Sequence, residues 1–409
     1  MRPPLSEPPA PRPKVIVVGG GPFQLDIVRT ARELGALVAV ADRDAGAPGL
    51  AIADHPLAID IVDLDAMVAA AKAWGADGVV TAASDVALPA VAAIGEALGL
   101  RALDVRAVER CRDKYAMFEA VRDAGLRVPT TVAVSSDAEA EQAARDVGGF
   151  PVVVKPRSAA GGRGVSVVRD RSSLWPAIER ARKYDRVGQR ECLLQTFVGG
   201  HALGVEAFFW DNELAATFLM DDQFVEGFVS PVGHSLPSEL GEDEHEEVRA
   251  AVLRYAEVLG LSEGPANFDL RFDQDGCVLL EVNARLGGNS ITDLVRATYG
   301  VDLSGATVRA CLGQDPRLEL EPTRLAPTAS RLLLVRGEGR AAVDAPFAGV
   351  TDREGVLAIE LTVADDAPFS MRVDEHAIVG RCIVSGSTPA EAAARAARVA
   401  SEVRVGARR

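Results

Sequence analysis

Apolar and polar positions fall into blocks of two kinds along this chain. From residue 14 to 112, short apolar runs alternate with longer stretches whose apolar positions recur every three to four residues. "KVIVVGGG" reads as a buried strand entering a glycine turn, and "FQLDIVRTARELG" as an amphipathic helix with its C-cap at Gly35. "ALVAVAD" and "DGVVTAAS" are further strands, and "LDAMVAAAKAWG" and "ALPAVAAIGEALG" further helices. Repeated strand–helix units predict a parallel sheet with helices on both faces. A helix at "RDKYAMFEAVRDAG" leads to a second unit, with strands "VPTTVAVSS" and "FPVVVKP" on either side of the helical "DAEAEQAARDVG". From about Glu191 the periodicity shifts to strands joined by turns: "CLLQTFV", "GVEAFFW", "LAATFLM", "NFDLRFD" and "CVLLEVN". These predict an antiparallel sheet, with "DEHEEVRAAVLRYAEVLG" as an amphipathic helix packed on it. A last strand-rich unit closes on a helix that begins at Thr388, Pro389 and Glu391, an N-cap, an N1 proline and a capping-box acid.

The predicted fold is therefore α/β and α+β, in several domains. Residues 1–13 hold six prolines and read as a disordered tail. The units that follow span 14–112 (parallel and Rossmann-like), 113–190, 191–325 and 326–409. The length of 409 residues suits such a division. Hydrophobic residues make up 48% and charged residues 25%, as in an ordinary globular chain. The formal net charge of −15 argues against nucleic acid as a partner, since no basic stripe is present to neutralise phosphates. No apolar run has the roughly 18 residues a membrane span needs. Cys111, Cys192, Cys277, Cys311 and Cys382 are scattered, odd in number and without a C-x-x-C pair, which predicts buried thiols rather than disulfides or zinc. A cytoplasmic enzyme fits this composition.

Two glycine loops carry candidate chemistry. "GGGPFQ", Gly19 to Gln24, begins like a dinucleotide fingerprint, with Asp42 as the ribose acid, but places Gln24 where close helix packing wants glycine. A dehydrogenase is thus the weaker reading. Ser84 and Asp85, in "TAASD", end a parallel strand on the same sheet edge and are candidates for substrate contact. The second loop, "VVVKPRSAAGGRGVSVV", puts Lys155 before the glycines and returns to a strand. It reads as a flap whose backbone N–H groups fold over phosphates, with Lys155 as a fixed cation.

The stretch "NFDLRFDQDGCVLLEVNARLGGN" is the most informative. It reads as a hairpin turning at Asp275-Gly276, which sets Asp269 beside Glu281, with Asn283 and Arg285 following on the same face. Two carboxylates and an amide oxygen are hard ligands suited to Mg²⁺ shared with phosphates, and Arg285 can clamp a phosphate.

Together these residues resemble the ATP-grasp superfamily, over roughly residues 14–405. The resemblance rests on "RDK" at 112–114, "VVKP" with its glycine flap, a hinge strand, and an acid followed twelve positions later by E-x-N-x-R. It implies a pre-ATP-grasp domain (14–112), a small lobe with the flap (113–190), a large lobe with the metal site (191–325) and a C-terminal subdomain. Lys114 and Lys155 would contact the α- and β-phosphates, and the flap residues Ser158, Gly161, Gly162 and Gly164 would close over them. Gln195, Thr196, Phe197 and Val198 would be the adenine hinge. Asp269, Glu281 and Asn283 would hold one or two Mg²⁺ ions, or Mn²⁺. The usual ribose glutamate is replaced by Ala202, leaving His201 or Glu206 as substitutes.

The implied activity is an ATP-dependent carboxylate–amine ligase, closest to the L-amino-acid ligase type. It would form an amide through an acyl phosphate, with Arg285 and Lys155 as catalytic residues. The alternatives are a purine-pathway-type enzyme and a non-catalytic nucleotide-binding protein. Substrates would be small carboxylates and amines, amino acids above all, with His234, Gly288, Asn289 and Arg296 beside Ser84, Asp85 and Arg285 as contacts. A homodimer is a further family-level expectation.

Overall fold

The computed structural model of the chain describes residues 11–159, 161–185, 191–225, 228–343, 348–351, 353–370, 376–403 and 405–408. Of the expected tail, residues 1–10 lie outside the described residues, as does Ala160 in the expected flap.

Strands Lys14–Val18, Leu37–Ala41, His55–Leu57 and Gly78–Val80 form a parallel sheet with Lys14–Val18 inside it, flanked by Leu37–Ala41 and Gly78–Val80. The unbroken apolar runs follow from burial on both faces: Val15 to Val18 are wholly inaccessible. The first helix starts at Leu25, after one 3₁₀ turn over Pro22–Gln24. Gln24 is buried, and its amide donates to the Ala82 carbonyl. The side chain that departs from the dinucleotide fingerprint thus ties two loops of the same sheet edge together. Asp42 closes the glycine turn itself, accepting from Gly20 N at 2.8 Å and Asp44 N at 2.9 Å.

The second sheet has the order Thr131–Val134, Cys192–Thr196, Val152–Pro156, Ser166–Val168. Helices Asp137–Asp146 and Leu174–Tyr184 share its apolar core. Cys192–Thr196 is an inner strand here, so a boundary at 190/191 cuts this unit apart.

The third sheet has eight antiparallel strands: Gly276–Asn283, Gly264–Asp273, His201–Trp210, Glu213–Gln223, Gly233–Leu236, Thr328–Arg336, His376–Ser385 and Val356–Leu361, in that spatial order. Three of these strands come from residues beyond 325. The expected C-terminal unit therefore extends the large sheet and adds a three-stranded sheet of its own, Pro368–Phe369, Gly339–Val343 and Val405–Arg408 in that order. Helix Glu242–Leu259 packs on one face, as its apolar stripe predicts. On the other, helices Ile291–Tyr299 and Leu303–Cys311 join Phe208, Phe218 and Met220 to Val15, Val28 and Val40 of the parallel sheet in one core. The 14–112 and 191–325 units thus share hydrophobic contacts. The last helix, Pro389–Glu402, has Thr388 at its N-cap, accepting from Glu391 N at 3.1 Å. All five cysteines are buried and free.

Tyr255, 2% exposed, pins helix Glu242–Leu259 to the hairpin below it. Its hydroxyl lies 3.0 Å from the Arg127 carbonyl and 2.9 Å from that of Cys277. Tyr255→Phe keeps the ring and removes that donor. Expected is a loss of about 1–2 kcal/mol in urea unfolding with an unchanged m-value; an unchanged midpoint would show that the hydroxyl contributes nothing.

Candidate active site

The hairpin expected from sequence is present, turning at Asp275 and Gly276, where Gly276 has φ +99°. Asp269 is the direct cross-strand partner of Glu281, and Asn267 that of Asn283, with a bulge between Asp269 and Leu270. Period-two alternation puts Glu281 and Asn283 on one face. Lys114 Nζ lies 3.0 Å from Glu281 Oε1 and donates to the Ala159 carbonyl at 2.7 Å. Lys155 Nζ donates to the Leu280 carbonyl at 3.3 Å and sits 4.5 Å above the Phe118 ring centroid.

These charges condition one another. Burial, then the neighbouring carboxylates Glu281 and Asp222, push Asp269 well above the ordinary carboxyl range, against the pull of Arg285 and Lys114. Burial pushes Lys155 down to about 7; Glu281 and Asp269 oppose this, and Lys114 adds to it. The two lysines thus share the field of one half-buried carboxylate pair.

Local chemistry places each cation. Asp113 caps helix Lys114–Asp123, its side chain accepting from Tyr115 N at 3.0 Å and Ala116 N at 3.3 Å. Arg157, just past the strand that carries Lys155, grips Asp113 through Nε at 2.9 Å and Nη2 at 2.6 Å, and Glu191 through Nη1 at 2.7 Å. The two lysines are thereby set from one bracket.

Arg285 meets the parallel-sheet domain. Its Nε and Nη2 donate to the two oxygens of Asp85 at 3.0 and 3.1 Å, and Ala82 bridges Leu286 beside them. Burial would raise Asp85, but Arg285's charge and hydrogen bonds outweigh it and hold the carboxyl below its usual value. Ala83, Asn289 and Ser290 have φ of 50°, 51° and 71°, so unfavourable non-glycine conformations gather at this junction.

A cavity of about 590 Å³ lies over the site. Lys155, Asp269, Glu281, Asn283, Arg285, Asp85, Gly288 and Asn289 line it, together with Gln195, Thr196, Phe197 and Val198 of the stretch expected to be the hinge. Gly161 and Gly162 also line it, and a Cβ on Gly162 would run into the Ser230 hydroxyl. Ser158 lines an adjoining cleft with Lys114 and donates to Asp185 at 2.9 Å. A Cβ on Gly164 would meet Pro156 and Tyr184, so that glycine serves close packing.

Several expected contacts fall elsewhere. Glu206 is wholly buried beneath the loop: it accepts from Asn267 Nδ2 at 3.1 Å and from Gly287 N at 3.1 and 3.2 Å, which removes it as a ribose ligand. His201 lies outside the cavity lining, with Nε2 2.7 Å from Asp221 Oδ1. Arg296 is held by Asp302 at 2.7 Å, with Asp26 and Asp293 at 3.6 Å, and does not line the cavity. Ser84 is absent from the lining too, its carbonyl accepting from Ala87 N in a turn. Asp222, which bonds His234, and the aliphatic wall of Leu332, Leu334 and Ile378 were not foreseen. "MDDQ" in a strand shows alternation, but which aspartate faces inward depends on hairpin register.

Among the described residues no three His, Cys, Asp or Glu side chains form a metal cluster. Asp269 and Glu281 need Asn283 and outside oxygens to complete a cation's shell. The donor set fits a hard cation shared with phosphate: oxygen atoms only, in an acidic pocket where burial and mutual repulsion make the extra negative charge costly.

Comparison with known proteins agrees with this geometry. Residues 148–293 match the model of the ATP-grasp domain. The chain is 27% identical over 66% of its length to the uncharacterised protein y4rH of Sinorhizobium fredii, and 29% identical over 60% of its length to carnosine synthase 1 of Gallus gallus. It spans 57% and 27% of those two proteins. The L-amino acid ligase structure from Bacillus licheniformis superposes with a TM-score of 0.81 at 20% identity, over 97% of this chain and 99% of that one. The chain therefore carries an ATP-grasp domain, in a fold shared along its length with a solved ligase. Among the described residues no helix is long and apolar enough to cross a membrane.

Burial raises Glu206 to about 7, against the Gly287, Arg285 and Asn267 contacts that favour its charge. A raised carboxyl destabilises the fold as pH climbs from the unfolded value near 4.5 through 7, and no further beyond. The stability of Glu206→Gln relative to wild type should therefore rise by on the order of 3 kcal/mol between pH 4.5 and pH 8, measured by urea unfolding without nucleotide. A pH-independent difference would refute the buried-acid assignment.

Proposed function

We propose that this protein is an ATP-dependent carboxylate–amine ligase that forms an amide, ADP and phosphate through an acyl phosphate. The observation that carries this reading is the cross-strand pair of Asp269 and Glu281, with Asn283 beside them and two buried lysines converging on the same point. Asp269, Glu281 and Asn283 would hold Mg²⁺, one ion or two, or Mn²⁺ in its place; the bound cation supplies charge neutralisation to the triphosphate. Lys114 and Lys155 bind phosphate oxygens, and the adenine lies at Gln195 to Val198. Gly161 and Gly162 roof the triphosphate with backbone N–H groups, which also keeps water from the acyl phosphate.

Arg285 faces the transferred phosphoryl group. Asp85 fixes the guanidinium's orientation, so the charge is aimed before substrate arrives. The catalytic contribution is mainly positioning and electrostatics, as phosphoryl transfer requires.

The far wall bears on the substrate class. Leu332, Leu334 and Ile378 are half-buried aliphatics that face the cavity and belong to none of the hydrophobic clusters. Such a wall suits a carbon side chain and gives no charge partner to a phosphorylated sugar, which favours amino acids over purine-pathway substrates.

The test is ADP release from ATP and Mg²⁺ over a panel of amino-acid pairs, with product mass measured. Glu281→Gln keeps the volume and removes a ligand charge; it should stay folded and lose at least ~100-fold in turnover. Full activity of that variant would overturn the cation assignment. ATP binding without turnover across the panel would favour a non-catalytic protein.

A further inference from the structure

The eight-stranded sheet presents the cavity with a row of side chains, one strand after another. Glu281 and Asn283 come first, then Asp269, then Gly204, then Asp222, then His234, then Leu332 with Leu334. The chemistry changes along the row, from acid to imidazole to aliphatic.

His234 is the unexplained member. It is 4% exposed, and Asp222 is its direct cross-strand partner. Nδ1 lies 2.7 Å from Asp222 Oδ1, while Nε2 is buried and has no partner among the described residues. Its other cross-strand neighbour, Ser330, likewise has a buried hydroxyl with no partner among them. A carboxylate on Nδ1 keeps the proton there and leaves Nε2 with its lone pair. Gly204 leaves room beside the pair: a Cβ at that position would lie 2.9 Å from Met220 Cγ and 3.1 Å from Asp222 Oδ1. A buried acceptor with no partner is costly unless it serves something that enters the cavity. The position suits that purpose: His234 lies between the phosphate end of the row and the wall that would seat a side chain.

We infer that His234, fixed by Asp222, is the proton acceptor for the incoming amine. This rests on the ligase reading above. The amine arrives as an ammonium ion and gives one proton to Nε2, forming imidazolium and a neutral amine. Its lone pair attacks the acyl-phosphate carbonyl carbon, the C–N bond forms, and the C–O bond to phosphate breaks with its electron pair leaving on the phosphate. The second N–H proton departs with that phosphate. Asp222 acts through His234 and is a positioning residue.

The two half-reactions can be separated with the full chain, ATP, Mg²⁺ and a carboxylate substrate. Hydroxylamine is unprotonated at neutral pH and needs no base, so it traps the acyl phosphate directly as hydroxamate. An amino acid as the nucleophile must first lose a proton. His234→Asn should lower amide formation by roughly 10²- to 10⁴-fold and hydroxamate formation by far less. Asp222→Asn, which keeps the imidazole, should show the same nucleophile-selective loss to a smaller degree, and serves if the first variant does not fold. Equal loss of both products in a variant that still binds ATP would place His234 in nucleotide or acyl-phosphate binding and overturn the proposal. Unchanged amide formation would do so as well. If the wild type gives no hydroxamate with any carboxylate, the ligase reading itself fails, a result distinct from either of these.

Discussion

Two carboxylates side by side in the cavity wall set the terms for everything around them. Asp269 and Glu281 repel one another, and the partial burial of the pair leaves less solvent to soften the repulsion. The fold answers with cations brought from far along the chain. Lys114 comes from a helix start fixed by its own aspartate cap, and Lys155 from a strand in a different sheet. Neither lysine is free to drift, because Arg157 locks the cap to the strand end. Charge is thus concentrated at one point before any ligand is present, the form of preorganisation that polar catalysis draws on.

The parallel sheet completes the site. Its edge supplies Asp85 to Arg285, and a single bridge from Ala82 to Leu286 holds the two domains in register there. Glu206 braces the same loop from beneath, through the Gly287 amide. The loop after the hairpin is therefore clasped from both sides. That accounts for non-glycine residues being kept at positive φ beside the cavity: the surroundings over-determine the backbone.

Much of this was legible in the sequence, because its signals are local. The hairpin around Asp275-Gly276 fixes a register by itself, and register alone sets Asp269 against Glu281 and Asn283 on their face. Lys155, the glycine roof and the hinge strand follow from similar short-range patterns. What escaped was set by pairing between distant strands. Whether Asp221 or Asp222 looks inward depends on how Glu213–Gln223 meets Gly233–Leu236, and nothing within either segment says so. Glu206 illustrates the converse: a glutamate near the hinge invites a ligand role, yet its neighbours Asn267 and Gly287 arrive from remote segments and bury it. Sheet membership is set in the same way, since chain order does not reveal that Cys192–Thr196 returns to the earlier sheet or that Thr328–Arg336 extends the later one.

That last extension carries an evolutionary implication. Strand Gly233–Leu236 is sandwiched between Glu213–Gln223 and Thr328–Arg336, so the imidazole it bears is flanked by ladders from two separately encoded parts of the chain. The final eighty or so residues cannot be exchanged as a cassette without stripping one neighbour from that strand. Divergence in what such a scaffold accepts must then proceed by point replacement on a continuous pleated surface, not by shuffling of modules.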